Sequence, residues 1–160
     1  MIFLVSFAAK SRLQVTSSPP RCRGGNGEIS NDLARHHVVL WLTSEPTKLS
    51  GKAKTAIEDA RTNGGGLAIS DITLLELATL ANKGRIRLDI SLETFLCEVE
   101  ARFVVLPISG RACARAVELP AAYPKDPADR IIAATALVQG LSLITADRDT
   151  RRSKALRTIW

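Results

Sequence analysis

Aromatic side chains are scarce in this chain, with Phe, Trp and Tyr together making up 4% of 160 residues. The core must therefore be aliphatic, with small residues where helices meet. Cysteine is also sparse. Cys22, Cys97 and Cys113 are an odd set with no C-x-x-C pair, which argues against both a disulfide framework and a thiolate zinc site. Free thiols in a reducing cytoplasm are the expectation. No run approaches the roughly 18 apolar residues that a membrane span needs. Met1–Ala9 is apolar, but Lys10 and Arg12 follow it rather than precede it, so export is not expected. A glycine-rich phosphate loop is missing, which argues against a nucleotide-dependent phosphotransfer module.

What is present fits one globular domain. Hydrophobic residues make up 46% and charged residues 24%, and 160 residues suffice to bury a core. The net charge of +6 and pI near 9.7 suit an acidic polymer such as RNA. Several of the basic residues (Lys10, Arg12, Arg21, Arg23) lie in a stretch broken by Ser17-Ser18-Pro19-Pro20 and Arg23-Gly24-Gly25-Asn26-Gly27. That composition has little to bury. Residues 1–34 are expected to be a poorly ordered or non-native extension, and residues 35–160 the folded domain.

From residue 37 onward short apolar runs alternate with helical patterns. Val38–Leu42, Leu67–Ile69, Phe103–Pro107, Leu141–Ile144 and Arg157–Trp160 read as strands. Ser50, Ser70 or Asp71, Ser91, Ser109 and Asp126 read as helix caps. Asp126-Pro127 is a strong helix entrance, and Gly140 suits the residue after the helix. The alternation predicts an α/β fold of three layers, with a mostly parallel sheet of four or five strands flanked by helices. Sites in such sheets form beyond the carboxyl ends of the strands.

Acids recur at those ends. Glu76 interrupts the apolar stretch Leu74-Leu75-Glu76-Leu77-Ala78, Asp129 sits in the first turn after Asp126-Pro127, and Asp147 follows Leu143-Ile144-Thr145-Ala146. Each has a plain alternative. Glu76 suits a solvent-facing position, Asp129 the helix dipole and Asp147 a turn. Asp126 is best explained as an N-cap, and Asp149 as the cap of the last short helix. Two carboxylates about 4 Å apart repel by roughly 4 kcal/mol at an effective dielectric near 20, and a divalent ion reverses that penalty. Gathered acids thus point to a metal, and a metal to phosphate chemistry.

Asp126-Pro127-Ala128-Asp129-Arg130-Ile131-Ile132-Ala133-Ala134-Thr135-Ala136 and Leu143-Ile144-Thr145-Ala146-Asp147, with Leu74–Ala78, Gly84-Arg85-Ile86, Leu106-Pro107-Ile108 and His37–Leu42, resemble the PIN domain. The likeness is closest to the VapC toxin ribonucleases of bacterial toxin–antitoxin pairs, and it runs from about residue 37 to 160. It implies a Mg²⁺- or Mn²⁺-dependent endoribonuclease acting on tRNA or another structured RNA. It also implies a homodimer, a small antitoxin partner and a cytoplasmic location. By the same resemblance Glu76, Asp129 and Asp147 are the metal-binding acids, Thr145 is a hydroxyl beside the metal, and Asp126 is an additional acid. Arg85, Arg87 and Arg130 are candidates for holding the RNA backbone.

One position departs from the pattern. The family opens its first strand with Asp-Thr-His-Val, where this chain reads Arg35-His36-His37-Val38. An arginine replaces the first metal-binding acid and cannot deprotonate. Strand alternation turns Asp32 to the other face, and histidine suits Mg²⁺ poorly. The abrupt end of the likeness points to a shifted reading frame upstream of residue 37. The idea fails if the one-base-shifted DNA does not encode a hydrophobic strand ending in Asp-Thr. Two readings follow: a toxin-type ribonuclease with impaired activity, or an inactive relative that binds an antitoxin or RNA.

Overall fold

The computed structural model describes residues 3–5, 29–63 and 65–160, with no side-chain account of residues 3–5 and 29. In chain order the elements are β1 (Phe3–Val5), β2 (Ile29–Ala34), α1 (His36–Ser44), a 3-10 turn (Pro46–Lys48), α2 (Gly51–Thr62), β3 (Gly66–Ser70), α3 (Asp71–Asn82), β4 (Ile86–Leu88) and α4 (Leu92–Glu100). They continue with β5 (Val104–Leu106), α5 (Gly110–Glu118), α6 (Pro127–Gln139), β6 (Ser142–Ile144), α7 (Arg148–Ser153) and β7 (Thr158–Ile159). Five strands form one parallel sheet in the order β5-β3-β2-β6-β7. The α/β expectation holds.

The helix caps sit where local chemistry puts them. Ser50, Ser91 and Ser109 accept from the backbone N–H of Ala53, Thr94 and Ala112 at 3.2, 3.1 and 3.2 Å. Asp126 Oδ1 accepts from Ala128 and Asp129 N–H at 2.9 and 3.2 Å. Gly140 closes α6 with a φ of +69°, which glycine adopts without a Cβ penalty.

Val38–Leu42, expected as a strand, lies within helix α1. A five-residue apolar run carries too little periodicity to separate a strand from a buried helix. Here Val38–Leu42 is an unbroken apolar run longer than one helical turn, so no polar face marks it as a helix. The strand that precedes this helix is β2, which was expected to lie outside the domain. β2 occupies the sheet centre, with Leu33 opposite Ala68 on one side and Leu143 on the other. The folded domain therefore takes in residues 29–34. Central parallel strands are usually continuous hydrophobic runs. Ile29-Ser30-Asn31-Asp32-Leu33-Ala34 is not, and its register with β3 shifts between Ile29 and Leu33. Within the expected extension, Phe3–Val5 pairs in parallel with Ile86–Leu88 as a separate two-stranded sheet. Residues 6–28 lie outside the described residues.

The core divides across the sheet. One side packs Val38, Val39 and Leu40 of α1, Ala53 and Ile57 of α2, Leu77 of α3, and Phe95 and Val99 of α4 against Leu67 and Ile69. The other side packs Ile132 and Ala136 of α6 against Leu33, Ala68, Leu106 and Leu143. Helix α5 meets α6 through Ala112, Ala116 and Ala134, small residues that allow close approach. Burial on this scale stabilises by about 25 cal/mol per Å² of apolar surface. The free-thiol expectation is corrected at one position: Cys97 is disulfide-bonded, whereas Cys113 is free and exposed. Among the described residues no helix is long and apolar enough to cross a membrane.

Candidate active site

Because the strands run in parallel, the residues that leave β2, β3 and β6 emerge at one edge of the sheet. Arg35 follows β2 directly and is the N-cap residue of α1. Its N–H donates to Ile144 O at 3.4 Å, and its carbonyl accepts from Val38 and Val39 N–H at 2.9 and 3.2 Å. The backbone is thereby fixed between the central strand, β6 and the first turn of α1.

The Arg35 side chain is buried beneath two acids. Nη2 donates to Asp129 Oδ1, and Nη1 lies 3.8 Å from Asp147 Oδ2. One planar guanidinium thus spans carboxylates from α6 and from the end of β6, a geometry suited to its fork of donors. Glu76, on α3, turns to the neighbouring residue, with His36 Nδ1 2.9 Å from its Oε1. Asp129 and Asp147 thus face Arg35, while Glu76 faces the adjacent His36.

The acids differ in their electrostatics. Burial pushes the Asp129 carboxyl above its ordinary range. Arg35 pulls the other way, while Asp126, Glu76 and Asp147 add to the rise. Burial raises Asp147 too, but the side-chain and backbone hydrogen bonds from Thr150, the charge of Arg35 and the backbone of Asp149 outweigh it. The net direction for Asp147 is down.

Several residues are spent on structure. Thr145 is fully buried, and its hydroxyl accepts the Asp147 N–H at 3.1 Å, which shapes the strand-end turn. Asp147 itself caps α7, accepting from Thr150 N–H at 2.8 Å, so the expectation that Asp149 is the cap is corrected. Asp126 is exposed and occupied as an N-cap. The guanidinium of Arg130, a candidate for holding RNA, donates within the fold to the carbonyls of Ala116, Leu119 and Pro124 at 2.9, 2.8 and 3.4 Å. Arg85 and Arg87 are exposed, and Arg85 borders a groove of about 290 Å³ that also includes Glu76, His36, Ile72 and Leu75. Asp32 lines the cleft at the opposite edge with Asp59, Ser142 and Arg157, away from the acids.

Sequence reasoning missed the arginines of α7. Arg148 and Arg152 are exposed in the short helix that Asp147 caps, and Arg151 Nε donates to Asp147 O at 3.4 Å. The run Arg148-Asp149-Thr150-Arg151-Arg152 was the available signal. His37 is half-buried and accepts the Ala146 N–H at 2.9 Å through Nε2.

The arrangement does not fit a divalent metal. Mg²⁺ demands oxygen ligands in a near-octahedral shell. The space between Asp129 and Asp147 is held by a guanidinium, which carries a permanent charge and no lone pair to offer. Among the described residues no three His, Cys, Asp or Glu side chains form a cluster able to hold a metal ion.

A five-stranded parallel sheet flanked by helices, with acids at its carboxyl edge, defines a three-layer α/β protein. The PIN domain family model matches residues 37–156, and the chain belongs to that family. Ribonuclease VapC22 of Mycobacterium tuberculosis is 40% identical over 126 residues, covering 78% of this chain and 94% of that protein. A toxin–antitoxin complex from Klebsiella pneumoniae has a chain of similar fold, with TM-score 0.56 and 25% identity over 81% of this chain and 96% of that one. DNA-bound VapBC from Salmonella typhimurium gives TM-score 0.59 and 22% identity, with coverages of 81% and 97%. The matched family span begins two residues after Arg35.

Proposed function

We propose that this chain is a toxin-type endoribonuclease of a toxin–antitoxin pair, directed at phosphodiester bonds of structured RNA, with hydrolysis impaired by Arg35. The observation that carries the reading is the convergence of Glu76, Asp129 and Asp147 from three separate segments onto the end of the central strand. The 40% identity to a curated ribonuclease supports it. Ribonucleases of this family generally depend on a divalent metal, and Mg²⁺ or Mn²⁺ is the natural candidate for an active form. In this chain Arg35 stands in the place of such an ion.

The chain's own residues supply the rest. Asp147 is oriented by its cap to Thr150, and Thr145 fixes the turn beneath it. Arg148 and Arg152 offer exposed positive charge in the helix that Asp147 caps, where it would attract an RNA backbone. The groove beside Glu76, with Leu75 61% exposed, suits an apolar side chain of a small antitoxin. A homodimer and a cytoplasmic location complete the reading. A second reading, an inactive relative that binds antitoxin or RNA, is favoured specifically by the Arg35–Asp129 pair.

The test is cleavage of structured RNA by the parent chain and by Arg35→Asp, each with Mg²⁺ and with Mn²⁺. Cleavage that strengthens at least tenfold in Arg35→Asp and disappears when Asp129→Asn is added supports the ribonuclease reading. If neither protein cleaves, the inactive reading replaces it. If the parent cleaves as well as Arg35→Asp, Arg35 does not impair hydrolysis.

A further inference from the structure

We infer that Arg35 is a resident counter-ion, so that this chain assembles its acidic centre without metal and binds no divalent cation there. The inference deepens the proposed function and rests on its assignment of Glu76, Asp129 and Asp147 as one centre.

Three observations carry it. The guanidinium reaches both Asp129 and Asp147, the acids contributed by α6 and by the end of β6. Its side chain is only 8% exposed, and Nε is buried with no hydrogen-bond partner among the described residues. The residue is anchored at both backbone ends, through Ile144 O and through the first turn of α1. An anchored, buried arginine has no short path to solvent. Nor does acidity or alkalinity vacate the site, because a guanidinium keeps its proton throughout the range in which proteins fold.

The third acid is engaged as well. Glu76 Oε1 faces His36, while Glu76 Oε2 is buried with no hydrogen-bond partner among the described residues. An arriving cation would have to share the pocket with a fixed positive charge, and two like charges a few ångströms apart in a partly dry site repel strongly. Breaking the Arg35 pairs to make room would strand a buried charge. The arginine thus does for the fold what an ion would do, by neutralising acids that repel one another. It supplies no Lewis acidity and activates no water.

The experiment uses the full chain, with Mn²⁺ as the probe and no RNA present. Mn²⁺ binding is followed by electron paramagnetic resonance, and thermal unfolding is measured in EDTA and in excess Mn²⁺. The parent is expected to have the same Tm in both and to bind no more Mn²⁺ than Asp129→Asn does. Arg35→Gln is expected to melt lower than the parent in EDTA and to regain stability in Mn²⁺. Arg35→Lys, which keeps the charge, should stay indifferent to the ion.

Mn²⁺ bound by the parent with a rise in Tm, both lost in Asp129→Asn, overturns the inference. So does an Arg35→Gln protein that folds yet ignores Mn²⁺. If Arg35→Gln does not fold, the parent and Asp129→Asn still decide. Failure to cleave RNA would count against the ribonuclease reading alone, since no arm of this test contains RNA.

Discussion

His37 Nε2 accepts the backbone N–H of Ala146 at 2.9 Å, tying the first turn of α1 to the loop that delivers Asp147. The imidazole must be unprotonated at that nitrogen to accept. It lies 5.0 Å from the Trp41 ring, and Trp41 in turn lies 5.6 Å from Trp160, so an aromatic cluster closes over the contact.

Acid should therefore loosen this corner. Burial, then the charges of His36 and Arg35, lower the His37 pKa to about 3 against an ordinary 6.5, with Asp147 opposing in part. The folded value lies below the unfolded one, so protons favour the unfolded chain. Stability from this group is full above pH 6.5 and falls as the pH drops toward 3, by up to about 1.4 kcal/mol per pH unit. Urea midpoints measured between pH 7.5 and 4.5 should fall for the parent and fall less for His37→Gln. Parallel profiles for the two proteins would refute the assignment.

Asp32 should be a liability at neutral pH. Burial raises its pKa, with Ser142 and Arg157 opposing and Asp59 reinforcing the rise. Its folded pKa is above the unfolded one, so the group favours folding below the unfolded value and loses that advantage as pH rises through the folded value. Asp32→Asn is expected to raise Tm at pH 7 and to lose that advantage near pH 3.5. A lower Tm at pH 7 would show that the pairing with Arg157 outweighs the burial cost.

Arg130 is expected to matter for stability rather than for RNA. The three carbonyls are bonded by three different guanidinium nitrogens, which the single nitrogen of Arg130→Lys cannot reach from one position, and leaving buried carbonyls unpaired costs about 1–3 kcal/mol. Thermal melts should show that loss, while RNA affinity of the folded variant, measured by filter binding, stays at the parental level. A selective drop in affinity at unchanged Tm would restore the RNA-contact role.

Asp126 should behave as a cap alone. Asp126→Ala is expected to cost about 1 kcal/mol, and Asp126→Ser to recover most of it, because a hydroxyl can accept from the same free N–H groups. If Asp126→Ser is as unstable as Asp126→Ala, the carboxylate has a further role.

How much of this was legible in the sequence depended on how local the cause was. The entrance and exit of α6 were readable because Asp126-Pro127 and Gly140 act on their immediate neighbours. Strands β3, β5, β6 and β7 were readable as short apolar runs between helix caps. Helix α1 was misread because its apolar run lacks a distinguishing period, and β2 was missed because its burial comes from β3 and β6 rather than from its own composition. The acids could be singled out as candidates, since each lies in a recognisable segment. The bonds of Arg130 to Leu119 and Ala116 were not, because they depend on how α5 and α6 pack. Choosing Asp149 over Asp147 as a cap was a two-residue ambiguity that only backbone geometry resolves.

The sheet order has a consequence for the acids. Strands β5 and β3 meet β6 and β7 only through β2, the most polar member of the five. Glu76 follows β3 on one side of that seam, and Asp147 follows β6 on the other. Any local loosening of β2 from β3 or β6 would shift the strand end that leads to Glu76 relative to the one that leads to Asp147. The segment with the fewest hydrophobic credentials is thus the hinge pin on which the site's assembly turns.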